Sequence, residues 1–88
     1  MILTKEEFMS YAKVEEDDPY IDVLLPSAEA ICMDVARVDT EEELATMPEA
    51  FQAVLYAAVY LYDNRMGADY RKLALQLRQL LNQRKAEF

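Results

Sequence analysis

The chain has no histidine and no tryptophan, a single cysteine, a single glycine and only three prolines. Each scarcity excludes something. Without histidine the commonest acid–base group and transition-metal ligand at neutral pH is missing, and Cys32, with no second cysteine, cannot close an internal disulfide. Zinc sites, redox pairs and His-dependent catalysis are thereby ruled out, and no cofactor is expected. One glycine and three prolines are too few for the many turns of a sandwich or barrel. No apolar run approaches the roughly 20 residues that cross a bilayer. Met1 leads into Thr4-Lys5-Glu6 without a secretory signal pattern, so synthesis in the cytosol is expected, with no membrane partner. No serine, lysine or carboxylate comes with the base and orienting group that a nucleophile requires, so the expectation is a protein that is not an enzyme.

What is present is helical patterning. The sequence of 88 residues with 53% hydrophobic content has surface for one core, hence a single domain over 1–88. Its apolar residues recur with a period of 3.6, and no alternating run supports a strand, which predicts an all-α bundle of about four helices plus a short helical turn. Thr4 and Glu7 have capping-box spacing, and Leu3 and Phe8 hold the positions of a hydrophobic staple. Phe8, Tyr11 and Ala12 are expected to face the core in a helix ending near Lys13. Asp18-Pro19 suits an N-cap followed by the first helical position. From there Ile21, Leu24, Leu25, Ala28, Ile31, Cys32 and Val35 form one stripe. Pro26 removes the hydrogen bond to the Asp22 carbonyl but lies on the polar side, predicting one helix kinked at Pro26 and not two.

Thr40 and Glu43 repeat the capping-box spacing for a turn or two through Ala45. Pro48-Glu49 opens the longest apolar segment, with Phe51, Val54, Leu55, Ala58 and Tyr62 on one face and Ala50, Ala53, Ala57 and Tyr60 on another. A helix apolar nearly all round is either central to its domain or covered by another chain. Gly67 is the natural C′ stop, with Arg65 suited to the negative end of the dipole. Asp69 then caps a last helix whose Leu73, Leu77, Leu80 and Leu81 form a narrow stripe, followed by a tail from Lys85 to Phe88 without a stop signal.

The net charge of −8 is unevenly spread. Residues 1–64 carry three cationic side chains against fifteen acidic ones, a balance of −12; residues 65–88 carry six against two, a balance of +4. Opposite signs on two parts of one chain steer copies of it head to tail, although the same pattern also describes a solvated surface without a partner. Tyr56 and Tyr60 read either as core tyrosines or as an intersubunit patch, with Arg71, Arg78, Arg84 and Lys85 as further candidate contacts. The acidic run Glu15, Glu16, Asp17 and Asp18 lacks the alternating donors, the glycine and the twelfth-position glutamate of a calcium loop, so it reads as a solvated connection and helix cap. Cys32 reads as an inert core thiol. Six cations near the end could touch phosphates, but the acidic remainder repels a duplex, which leaves only non-specific proximity to DNA.

Two segments resemble the phage head–tail connector family, small helical adaptors between the portal and the next neck component. One is Met1-Ile2-Leu3-Thr4 with Glu6-Glu7, then Asp17-Asp18, then Ile21, Leu24-Leu25-Pro26, Ala28 and Ile31. The other is Pro48, Phe51-Gln52-Ala53-Val54-Leu55, Val59 and Tyr62-Asp63-Asn64-Arg65. The likeness spans roughly residues 1–66, and the end, Arg71 to Phe88, departs from it in being more basic and richer in glutamine. The resemblance implies a structural protein of the virion neck, made in the bacterial host. It would form a homo-oligomeric ring, dodecameric to match a portal, contacting the portal protein and the next neck or tail protein while DNA passes through. Glu15 to Asp18 would then face the channel and repel phosphates. Rival readings are an acidic helical inhibitor of a host factor, offering carboxylates in place of DNA phosphates, and a small regulator touching DNA through residues 71–85.

Overall fold

Side-chain caps set where the helices begin. Thr4 Oγ1 accepts the Glu7 N–H at 3.1 Å while Glu7 Oε1 accepts the Thr4 N–H at 2.9 Å, closing the expected capping box. Asp18 accepts the Tyr20 N–H at 2.9 Å ahead of Pro19, and Asp69 accepts the Lys72 N–H at 3.1 Å. At Thr40 only half of the box forms, because Thr40 Oγ1 accepts from Glu43 N–H but the Glu43 carboxylate turns to the Asp39 N–H and the Thr40 hydroxyl. Each of these caps satisfies a donor that a helix N-terminus leaves open.

In the computed structural model, which describes residues 1–81, the resulting elements are α1 (Lys5–Ala12), α2 (Pro19–Ala36), α3 (Glu41–Ala45), α4 (Ala50–Asp63) and α5 (Tyr70–Leu81). There is no strand among the described residues, and none of their helices is long and apolar enough to cross a membrane. The all-α bundle read from periodicity is the fold, with four longer helices and the short α3. The tail from Lys85 to Phe88 lies outside the described residues.

α2 runs through Pro26 as one helix, with the ring on its exposed side, so the missing N–H falls where water can reach the orphaned carbonyl. At the next residue, the Ser27 hydroxyl donates to the Val23 carbonyl at 3.1 Å. α1 and α2 both end in a left-handed residue, Lys13 with φ 57° and Arg37 with φ 59°. The Val14 and Val38 N–H groups reach back five residues, to Met9 at 2.9 Å and Met33 at 3.1 Å, the pattern of a Schellman cap usually made with glycine.

α2 and α4 form the most extensive helix pair, and α5 packs on both. Their buried surfaces are rich in small side chains: Ala28, Cys32 and Ala36 from α2, and Ala50, Ala53, Ala57 and Ala58 from α4. Small residues let helix axes approach closely. Leu3, Phe8, Leu44, Leu73, Leu77 and Leu81 close the core from the other elements, so the staple pair is inside with three of the four leucines of the α5 stripe, Leu80 being half-buried beside them. Four sequence-based expectations need correction. Tyr11 does not face the core: it is 62% exposed and meets Phe51 edge-on with ring centroids 5.8 Å apart, since an eight-residue helix buries only a narrow side. Ile31 and Val35 are half-buried, and Ala36 seals the end of the α2 stripe instead. Gly67 is not the C′ residue of α4: Asn64 caps the helix, no glycine has positive φ, and Gly67 closes a turn by donating to the Asn64 carbonyl at 3.0 Å. Finally, the alanine side of α4 is covered by the chain's own helices, with Ala53 and Ala57 fully buried, so its uncovered circumference is smaller than the apolar pattern suggested.

Four outcomes check this packing in urea titrations and thiol labelling. Ala57→Leu has no room for its added atoms and should cost about 1–3 kcal/mol, and Leu77→Ala about 2–5 kcal/mol. Arg37→Gly should add about 0.5–1 kcal/mol, the left-handed penalty less glycine's greater freedom when unfolded. Burial, assisted by the nearby Glu29 charge, pushes the Cys32 thiol up to about 12, so Cys32 should resist a thiol reagent at pH 8 in the native state and react fully in urea.

Candidate functional site

The segments flanking α2 and α4 meet at one side chain. Arg65, just past the end of α4, places Nη2 2.8 Å from Asp18 Oδ2, across 47 residues of sequence. Its guanidinium lies over two rings, 4.5 Å from the Tyr20 centroid and 4.9 Å from that of Tyr62. Tyr62 in turn meets the buried Phe8 edge-on at 5.6 Å. A planar cation with several donors suits such a site, where it stacks and pairs at once. The Arg65 hydrogen bond, followed by that from the Tyr20 N–H, holds the Asp18 carboxyl below its usual range. Sequence reasoning gave Arg65 only the helix dipole to answer, since no local spacing reveals a partner so far away.

Beside this joint the α1–α2 connection forms an open hollow of about 630 Å³, walled by Ala12, Val14, Glu15, Glu16, Asp17, Asp18, Pro19 and Tyr62, with Lys13 as its one cation. The four acids proposed for a channel wall thus lie together but are not alike. Asp18 is taken by Arg65, and Asp17 by Lys5 at 2.6 Å, whose ammonium also reaches Asp22 at 3.2 Å. Asp17 first, then Asp22, raises the Lys5 pKa. Glu15 and Glu16 are exposed and take no part in the ion pairs of the described residues. Among the described residues no three cysteines or acids are grouped so as to hold a metal ion.

A second carboxylate group stayed hidden in the sequence because its members are brought together from three places. Glu29 accepts the Ile2 N–H at 3.2 Å, and Glu41 pairs with the Met1 amino group at 3.1 Å. Burial, then hydrogen bonding with Glu41, raises the Glu29 pKa, while the amino group lowers that of Glu41.

The proposed contact residues are also placed. Tyr56 is 41% exposed on α4. Tyr60 is half-buried, its hydroxyl accepting the Asp69 N–H at 3.0 Å and donating to the Asp69 carbonyl at 3.4 Å, so it anchors the start of α5. Arg71 and Arg78 are exposed on α5 and form no ion pair among the described residues. Arg84 and Lys85 lie outside the described residues. No known protein family, curated protein or solved structure matches this chain at a significant level.

Because Asp18 titrates lower when folded than its usual 3.8, the stability it contributes is complete above that value and is lost as pH falls through the lower folded pKa. Arg65→Ala should therefore unfold at lower urea than wild type at pH 7. The gap should narrow as acid protonates Asp18, leaving only the stacking part. Arg65→Lys should recover part of the ion pair but not the stacking, and urea midpoints across pH 2 to 7 check both.

Proposed function

We propose that this chain is a non-catalytic structural subunit of the phage head–tail joint, one copy of a ring that joins the portal to the next neck or tail protein. The observation that carries this reading is the Arg65 joint. The two segments that resemble the connector family are far apart in sequence, yet Asp18 from the first and Tyr62 and Arg65 from the second meet in one ion pair and stack. The quoted residues thus hold one architecture together, as expected if the likeness is one of fold and not of scattered composition.

Two surface features support assembly as the role. Tyr11, Val23, Tyr56, Met66, Tyr70 and Leu75 remain exposed in a chain of only 88 residues, and exposed aromatics with a polar tip are favoured at protein interfaces. The acidic surplus over residues 1–64 suits a wall past which DNA moves without sticking. The exposed cations of α5, which form no ion pair among the described residues, favour a second reading, a small regulator contacting DNA, against which stands the net charge of −8.

Mixing the purified chain with portal rings of its phage and imaging the product tests the first reading. The expected result is a ring of the chain, dodecameric on a dodecameric portal, stacked on its tail-facing side. Bare portals after mixing at concentrations well above those of the ring would contradict it. A salt-dependent gel shift of duplex DNA by the isolated chain would favour the regulator instead.

A further inference from the structure

The four ion pairs among the described residues draw their cations from the Met1 amino group, Lys5 and Arg65. α5 contributes none. Its inner face carries Leu73, Leu77 and Leu81 into the core. On the opposite side Arg71, Leu75 and Arg78 recur at the four- and three-residue spacing that aligns side chains along a helix, flanked by Lys72. All four are exposed, Leu75 at 52%. An apolar side chain set between two arginines that form no ion pair among the described residues, about 10 Å apart along the axis, is a face with a definite charge pattern.

The same molecule carries the complement. The hollow at the α1–α2 connection is lined by Ala12, Val14 and Tyr62 together with Lys13, Glu15 and Glu16, and these two glutamates pair with no cation among the described residues. The hollow and α5 belong to the parts of the sequence with balances of −12 and +4. Complementary charge is what guides two surfaces into one register.

We propose that the outer face of α5, through Arg71, Leu75 and Arg78, docks into the α1–α2 hollow of a second copy of this chain, with the arginines meeting Glu15 and Glu16. The contact joins two different patches, so it is heterologous: each copy keeps one free donor face and one free acceptor hollow, and repetition closes a ring or extends a filament. It takes from the connector reading only that copies of the chain pack against one another, and it names the surfaces. It also gives Glu15 and Glu16 a neighbour's arginines to face in place of a DNA channel.

A charge swap tests it with the full chain. Arg71→Glu with Arg78→Glu makes one variant, Glu15→Lys with Glu16→Lys the other; all four positions are exposed and outside the internal ion pairs, and far-UV circular dichroism checks that both variants remain helical. Light scattering at low ionic strength should show the wild-type mass rising with concentration and falling back when salt shortens the reach of the charges. Each variant alone should associate at least about ten-fold more weakly, and an equimolar mixture should recover association, because each reversed helix then meets a reversed hollow. The proposal is overturned if the wild type stays monomeric at about 1 mM, a concentration that reveals even weak pairing. It is equally overturned if the reversals leave association unchanged, if the mixture fails to recover it, or if labelled duplex DNA and not a second copy occupies Arg71 and Arg78. A wild-type ring on the portal that both variants also form sinks this contact and spares the connector reading. Charge-swapped association without any portal ring does the reverse.

Discussion

The close packing of α2 against α4 is the constraint from which the remaining structure follows. It depends on alanine and cysteine at the buried positions, with Ala28 and Cys32 on one helix and Ala53, Ala57 and Ala58 on the other all fully covered. Larger residues there would hold the axes apart. Because the two helices are close, their ends come within reach of each other, and Arg65 beyond α4 can bridge to Asp18 at the start of α2. That bridge fixes the α1–α2 connection, and the hollow it borders has its shape for the same reason.

A small core has a second consequence. Short side chains give a tight interface but bury little area apiece, and a domain of this size has a high ratio of surface to volume. Several larger apolar groups are therefore left at the rim: Phe51, Leu55, Val59 and Tyr62 are half-buried around α4, while Tyr11, Tyr56 and Leu75 are exposed. Tyr60 is half-buried like them, and its hydroxyl ties the α4–α5 turn at Asp69. Under the proposed assembly a second polypeptide would cover this rim, and the cations of α5, which form no ion pair among the described residues, would give that cover a direction.

The elements that depend on neighbours in sequence were legible in advance. Thr4 with Glu7, Asp18 with Pro19 and Asp69 signal helix starts through contacts spanning two to three residues, and the leucine spacing of α5 gave its buried face. Ends were harder to read, since Lys13 and Arg37 adopt left-handed geometry that sequence usually announces with glycine, while the one glycine serves in a turn beyond α4. The apolar breadth of α4 concealed which side would be covered, because alanine and tyrosine carry similar weight in a hydrophobic pattern but differ greatly in how closely a helix can approach them. The Arg65 stack and the grouping of Glu29, Glu41 and the Met1 amino group join residues distant along the chain, and only the folded arrangement reveals them. The unequal state of Glu15 to Asp18, two committed to internal cations and two not, became visible in the same way.

Whether the uncovered rim is an interface is most directly measured by hydroxyl-radical footprinting of the full chain, dilute against concentrated and against portal-bound. Tyr56 and Leu75 should lose most of their oxidation as the chain assembles, while Cys32, already sealed between the helices, stays unmodified throughout. Equal oxidation of Tyr56 and Leu75 in all three samples would contradict the account.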